Sequence, residues 1–193
     1  MEHFPLVDRL HQDVLEEKYG PIHAKVLRHD DSVREAHLVD SHGISRTYTL
    51  TFFPKEKENG DIKSIDEEIH RGGAIGRTFR KHEYAIRKNV LDVFILEIPE
   101  WLRSEFGIND EYAKARISEF YAKKRNFSPI IYGTVLEVYS PDFRPPIINQ
   151  VDISQINPST KELGRAGFTR EETWMRIGNN NDWTDVQDRY IKA

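Results

Sequence analysis

The chain contains no cysteine, which excludes disulfide bonds, thiol nucleophiles and thiolate metal sites. No apolar run approaches the ~20 residues that a helix needs to cross a bilayer. The N-terminus, MEHFPLVDRL, has neither the basic start nor the long apolar stretch of a signal peptide. A cytoplasmic location and no membrane partner are therefore expected. Neither a G-x-S-x-G elbow nor a Walker loop occurs. A surplus of positive charge is missing too: 28 Lys and Arg stand against 32 Asp and Glu, a net charge of −4. General nucleic-acid binding needs many phosphate contacts, so nucleic acid is not an expected partner.

What is present is ordinary globular material. The chain has 193 residues, 38% hydrophobic and 31% charged, enough for one sizeable core. Residues 5–19 read as a helix, with Leu6, Val7, Leu10 and Val14 at helical spacing and Gly20-Pro21 as the stop. Short strands are expected over 22–27 and 33–39. Residues 44–53 alternate, with Tyr48, Leu50 and Phe52 on one side and Thr47, Thr49 and Thr51 on the other, which reads as a hairpin arm. Ser64 to Glu67 is a capping box that predicts a short helix through His70, and another helix is expected near 75–81. A buried strand over 84–98, a brief helix over 99–107, and strands over 112–124 and 130–139 complete the pattern. After Pro141 the composition turns to Pro, Asn, Gln and Ser. The expected fold class is α+β, an antiparallel sheet with segregated helices. The core spans residues 1–141, and 142–193 form a C-terminal extension packed on the core or on a partner, with Trp174 and Trp183 as anchors.

The segment HRGGAIGRTFRKHEYAIRK, from His70 to Lys88, concentrates six positive charges and one acid, Glu83. Glycines let a backbone approach a ligand closely, and amides at a helix start favour an anion. A solvated basic face beside a glycine turn is the plainer reading of the same residues. Arg34 and Arg46 sit on the two arms of the predicted hairpin, and Arg77 follows the glycine turn. Glu137 lies within the strand Val135-Leu-Glu-Val-Tyr139, on the face of Val135 and Tyr139. If that face lines a cavity, the carboxyl should be pushed up and serve in proton transfer. If it faces water, it is a surface acid, and the pattern alone favours the latter slightly. His29-Asp30-Asp31 and the pair His37 and His42 lack a recognised ligand spacing, so they read as turn and strand residues and no metal is expected.

Four short motifs, in order, resemble the bacterial chorismate lyases and the UTRA ligand-binding domains that share their fold. Arg34-Glu35 resembles that family's Arg-Glu strand, and Ser45-Arg46-Thr47 its Gly-Arg-Thr strand. Ala74-Ile75-Gly76-Arg77 resembles its Pro-Leu-Gly-Arg turn, and Glu137-Val-Tyr-Ser-Pro141 its Glu-x-Phe-x-Pro strand end. The resemblance covers roughly residues 8–141. It implies that Arg34 binds a ligand carboxylate with help from the Ile75 amide, that Gly76 and Arg77 belong to the binding turn, that Arg46 holds a second carboxylate, and that Glu137 is the catalytic acid. The hairpin before Glu137 is longer than in those enzymes, and a register without a gap puts Thr134 at that place. The implied function is binding of a small anionic aromatic carboxylate in an enclosed pocket, with chorismate cleavage to 4-hydroxybenzoate and pyruvate as its possible chemistry. No cofactor is implied. A non-catalytic sensor of the same fold and an interaction protein using its tail are the alternatives, and a homo-oligomer is left open.

Overall fold

A computed structural model describes residues 10–31, 33–54, 61–98 and 100–143. The expected extension, with Trp174 and Trp183, lies outside the described residues beyond Phe143, as do the first nine positions of the chain. The described residues form helix α1 (His11–Tyr19), strands β1 (His23–His29), β2 (Val33–Val39) and β3 (Ser45–Phe52), then helices α2 (Asp61–His70) and α3 (Ile75–Lys81). Strand β4 (Ala85–Glu97), helix α4 (Glu100–Phe106) and strands β5 (Tyr112–Lys123) and β6 (Ile130–Tyr139) follow. The fold is α+β, as expected.

The six strands make one sheet in the order β1-β2-β3-β6-β5-β4, and every neighbouring pair is antiparallel. Two three-stranded meanders are thus joined along β3 and β6. The β2–β3 turn closes on Asp40, whose carboxylate accepts from the backbone N–H groups of His42 and Ile44, and Gly43 supplies the left-handed residue there with φ 78°.

Both faces of the sheet are covered. On one, α4 packs Leu102 and Phe106 against Tyr48, Leu50, Phe52, Ile117, Leu136 and Val138. On the other, Ile62, Ile65 and Ile69 of α2 and Phe79 of α3 pack with Leu10, Phe120, Tyr132 and Val135. The connection between β3 and β4 carries α2 and α3 across this second face. Helix α2 starts at Asp61, before the capping box at Ser64, because Ile62 already belongs to its apolar stripe at i, i+3 and i+7. The threonine side of β3, the polar arm of the expected hairpin, is also buried at Thr47, Thr49 and Thr51.

Directly opposite residues in a ladder share a face. Arg34, Thr51, Val135 and Ser118 therefore form one row across β2, β3, β6 and β5. Ala36, Thr49, Glu137 and Arg116 form the next row on the same face. This face lies under α1, α2 and α3.

Close approach of strands explains Gly133. A Cβ there would meet the backbone O of Phe52 at 2.8 Å and Thr51 Cγ2 at 3.0 Å. The Phe52 carbonyl cannot move away without shifting β3. Gly133→Ala is expected to destabilise the fold by about 1–3 kcal/mol, read as a lowered urea midpoint at unchanged m-value. An unchanged midpoint would contradict this packing.

Candidate functional site

Glu137 is the centre of a buried polar cluster. Its side chain is only 5% exposed and its partners come from three strands. Lys88 Nζ of β4 donates to Oε1 at 2.5 Å. Arg116 of β5 donates to Oε2 through Nε at 3.0 Å and again through its second terminal nitrogen. The Tyr139 hydroxyl donates to the same oxygen at 2.9 Å. Above them, α1 places His11 with Nε2 2.8 Å from Thr47 Oγ1. The imidazole ring meets Tyr139 and Phe143 edge-on, with centroids 5.3 and 5.5 Å apart.

The charges are set by competition between burial and proximity. Burial pushes the Glu137 carboxyl up, but Arg116, Lys88 and the hydrogen bonds it accepts outweigh that, and it is held well below the usual carboxylate range. Burial depresses Arg116, and the facing Glu137 more than restores it, so its guanidinium is charged. Burial lowers Lys88, with Glu137 opposing. Burial drives His11 down to about 3, although Glu137 opposes this, so the imidazole is neutral.

Arg34 lies on the same face, buried at 3% exposure. A hydrogen bond crosses to the α2–α3 loop, where Nη2 donates to the Gly73 carbonyl at 3.3 Å. Burial lowers the guanidinium, and Tyr132 nearby opposes this. Among the described residues, four side-chain atoms in these two rows have no hydrogen-bond partner: Arg34 Nε, Thr51 Oγ1, Ser118 Oγ and Arg116 Nη1.

The structure brings Arg34 and Glu137 to one face and sends the other expected residues elsewhere. Glu137 is buried and ionised, which corrects both the surface reading and the raised carboxyl expected of a cavity, because two cations surround it. Thr134 pairs with Phe52 and Glu119, in the rows of the opposite face. Arg46 is held by Asp40 at 2.7 Å and Asp142 at 3.0 Å, its guanidinium 4.0 Å from the Tyr19 ring centre. Arg77 is exposed on α3 and forms ion pairs with Asp13 and Glu16 of α1. Ile75 opens α3 and packs against the second core. Gly76 serves helix packing, since a Cβ there would lie 2.8 Å from Leu10 Cδ2. In the basic segment Arg80 and Lys81 are solvated as expected, but Lys88 is not. Strand β4 turns it inward with Ile86, opposite Phe120 of β5.

The sequence reading did not single out Arg116, His11, Tyr139 or Thr47. The usable signal was alternation on β5, which sets Arg116 in phase with Ser118 and Phe120. Among the described residues no group of three His, Asp or Glu side chains is gathered as for a metal. His37 instead pairs its Nδ1 with Ser45 Oγ at 2.8 Å, and His29 stacks on Phe53. No protein-family model matches the chain, and no curated protein does.

A histidine whose folded pKa lies below its unfolded value binds fewer protons when folded. Its stabilising contribution is complete above pH 6.5 and is lost as pH falls toward 3. From pH 6.5 to 4.5, above the usual carboxylate range, His11 should make unfolding easier by about 1.4 kcal/mol per pH unit. The buried His37 adds in the same direction. Urea titrations across this window should show His11→Gln losing about one proton's worth of slope. An identical slope in the variant would show that His11 is not buried neutral.

Proposed function

We propose that the protein binds a small aromatic carboxylate between its sheet and helices α1–α3, with Arg34 as the anchor of the acid group. The observation that carries this reading is the set of buried groups on that one face without partners among the described residues, Arg34 Nε, Thr51 Oγ1, Ser118 Oγ and Arg116 Nη1. A buried polar group left unpaired costs about 1–3 kcal/mol, and an acceptor-rich ligand offsets that cost. Charge supports an anion as well. Arg34 has no carboxylate partner among the described residues, while Lys88 and Arg116 share Glu137. Aromatic side chains in the same layer, Tyr139 beside His11 and Phe79 beside Tyr132, suit a flat ring.

The ordered motifs that resemble the chorismate-lyase-like family support the same reading, since Arg34 falls at that family's carboxylate-binding position. Cleavage of chorismate is a second reading of this site, favoured by Glu137 standing on Arg34's face. In it, loss of the enolpyruvyl group aromatises the ring, and positioning by Arg34 supplies much of the acceleration. Glu137, ionised in the ligand-free protein, begins as proton acceptor rather than donor.

Calorimetric titration with 4-hydroxybenzoate tests the binding reading. Wild-type protein should bind, Arg34→Gln should weaken binding at least tenfold for the loss of a charge-assisted contact of about 1.5–3 kcal/mol, and Arg77→Ala should leave it unchanged. Failure of wild type to bind, or equal binding by Arg34→Gln, overturns the assignment. Incubation with chorismate, followed by pyruvate release in wild type and Glu137→Gln, decides the lyase reading.

A further inference from the structure

We infer that Asp142 and Phe143, the first residues of the C-terminal extension, form a latch that holds helix α1 closed over the Glu137 cluster. The consequence for binding, that α1 governs entry to the face of Arg34 and Glu137, rests on the ligand reading above. The latch itself stands on contacts made without a ligand.

Helix α1 is weakly anchored by its own residues. Of its nine positions only Gln12 and Leu15 are buried. Towards α3 it is held by the exposed pairs of Asp13 and Glu16 with Arg77, which contribute little stability. A segment with few buried apolar contacts opens locally at a lower free energy than the core strands. Yet this helix sets His11 against Thr47 and against Tyr139, whose hydroxyl donates to Glu137. Its closure therefore decides whether the cluster is covered.

The turn after β6 supplies the missing anchor. The Phe143 N–H donates to the Ser140 carbonyl at 2.8 Å, which folds the chain back towards α1. Phe143 is only 4% exposed. Its ring meets His11 at 5.5 Å and Tyr19 at 6.3 Å, the first and last residues of α1, and Tyr139 of β6 at 6.1 Å. Asp142 adds polar ties. Its carbonyl accepts from Lys18 Nζ at 2.6 Å, and its carboxylate accepts from the Tyr19 hydroxyl at 3.1 Å. Arg46 Nη1 donates to the same carboxylate at 3.0 Å, and the Ser140 hydroxyl fixes its other oxygen at 2.5 Å. Arg46 also pairs with Asp40 and lies 4.0 Å from the Tyr19 ring centre. One guanidinium thus joins β3, the β2–β3 turn, the end of α1 and the extension. Asp142 is 45% exposed, so this tie can be reached from solvent, unlike the cluster it helps to cover.

Native-state hydrogen exchange on the full chain, read by mass spectrometry, tests the latch. Asp142→Ala should speed exchange of the α1 amides about tenfold, the effect of losing one charge-assisted contact. The amides of β5 and β6 and the urea midpoint should not change. Phe143→Ala should act in the same direction, and Asp142→Ala carries the test if that variant fails to fold by circular dichroism. Unchanged α1 exchange in Asp142→Ala overturns the latch. Exchange that rises equally in α1, β5 and β6 overturns it too, since that marks global destabilisation. Stopped-flow mixing with 4-hydroxybenzoate tests the consequence: Asp142→Ala should take up and release the probe about tenfold faster at an unchanged Kd. Equal rates in wild type and variant overturn the control of entry. Absence of binding by wild type defeats the ligand reading instead, and the exchange result still decides the latch.

Discussion

The ion cluster of Glu137 with Lys88 and Arg116 is the constraint on which the second face of the sheet depends. Three strands contribute one charge each, and none of the three would be stable there alone. An unpaired buried ion costs several kcal/mol, and attraction within the protein repays it only with good geometry. Here the geometry comes from register: Arg116 lies directly opposite Glu137, and Tyr139, two residues further along the same strand, donates to the same oxygen. A one-residue slip between β5 and β6 would turn Arg116 to the opposite face and strand Glu137. The cluster thus reports on the alignment of the two meanders.

The remaining layers follow from covering that cluster. Helices α2 and α3 seal the Val135 side with isoleucine and phenylalanine. Helix α1 lays His11 over Thr47 and Tyr139. The exposed ion pairs of Arg77 with Asp13 and Glu16 tie α3 to α1. Exposed pairs contribute little stability, typically below about 1 kcal/mol. Their role is to fix the approach of α3 to the start of α1, where Gly76 lies close against Leu10. The basic segment that dominates the sequence is therefore mostly scaffolding, and Lys88 is the residue of it that joins the buried cluster of Glu137.

Much of the fold was legible because it rests on local periodicity. The β2–β3 hairpin, the short helices near residues 64–81 and 99–107, and the strands ending at Lys123 and Tyr139 all follow alternation and turn chemistry. The face of Glu137 was legible for the same reason. Its burial was not. A glutamate flanked by apolar neighbours has the same pattern on a wet or a dry face, and only α1 to α3 make this face dry. Lys88 was misread on similar grounds. Next to Arg87 it looks like one more solvated charge, yet the strand turns consecutive residues to opposite sides.

The sequence by itself determined the fold class, the element order and the alternation that puts Arg34, Thr51, Ser118 and Glu137 on inward or outward sets, since these depend on neighbours within a few residues. Tertiary structure alone decided which set is buried, which cation meets which anion, and that Arg46 is spent on Asp40 while Arg116 reaches Glu137. Such pairings join residues tens of positions apart, and burial changes their electrostatics from strong screening in water to strong coupling in a dry layer. Neither effect leaves a mark within any short window of the chain.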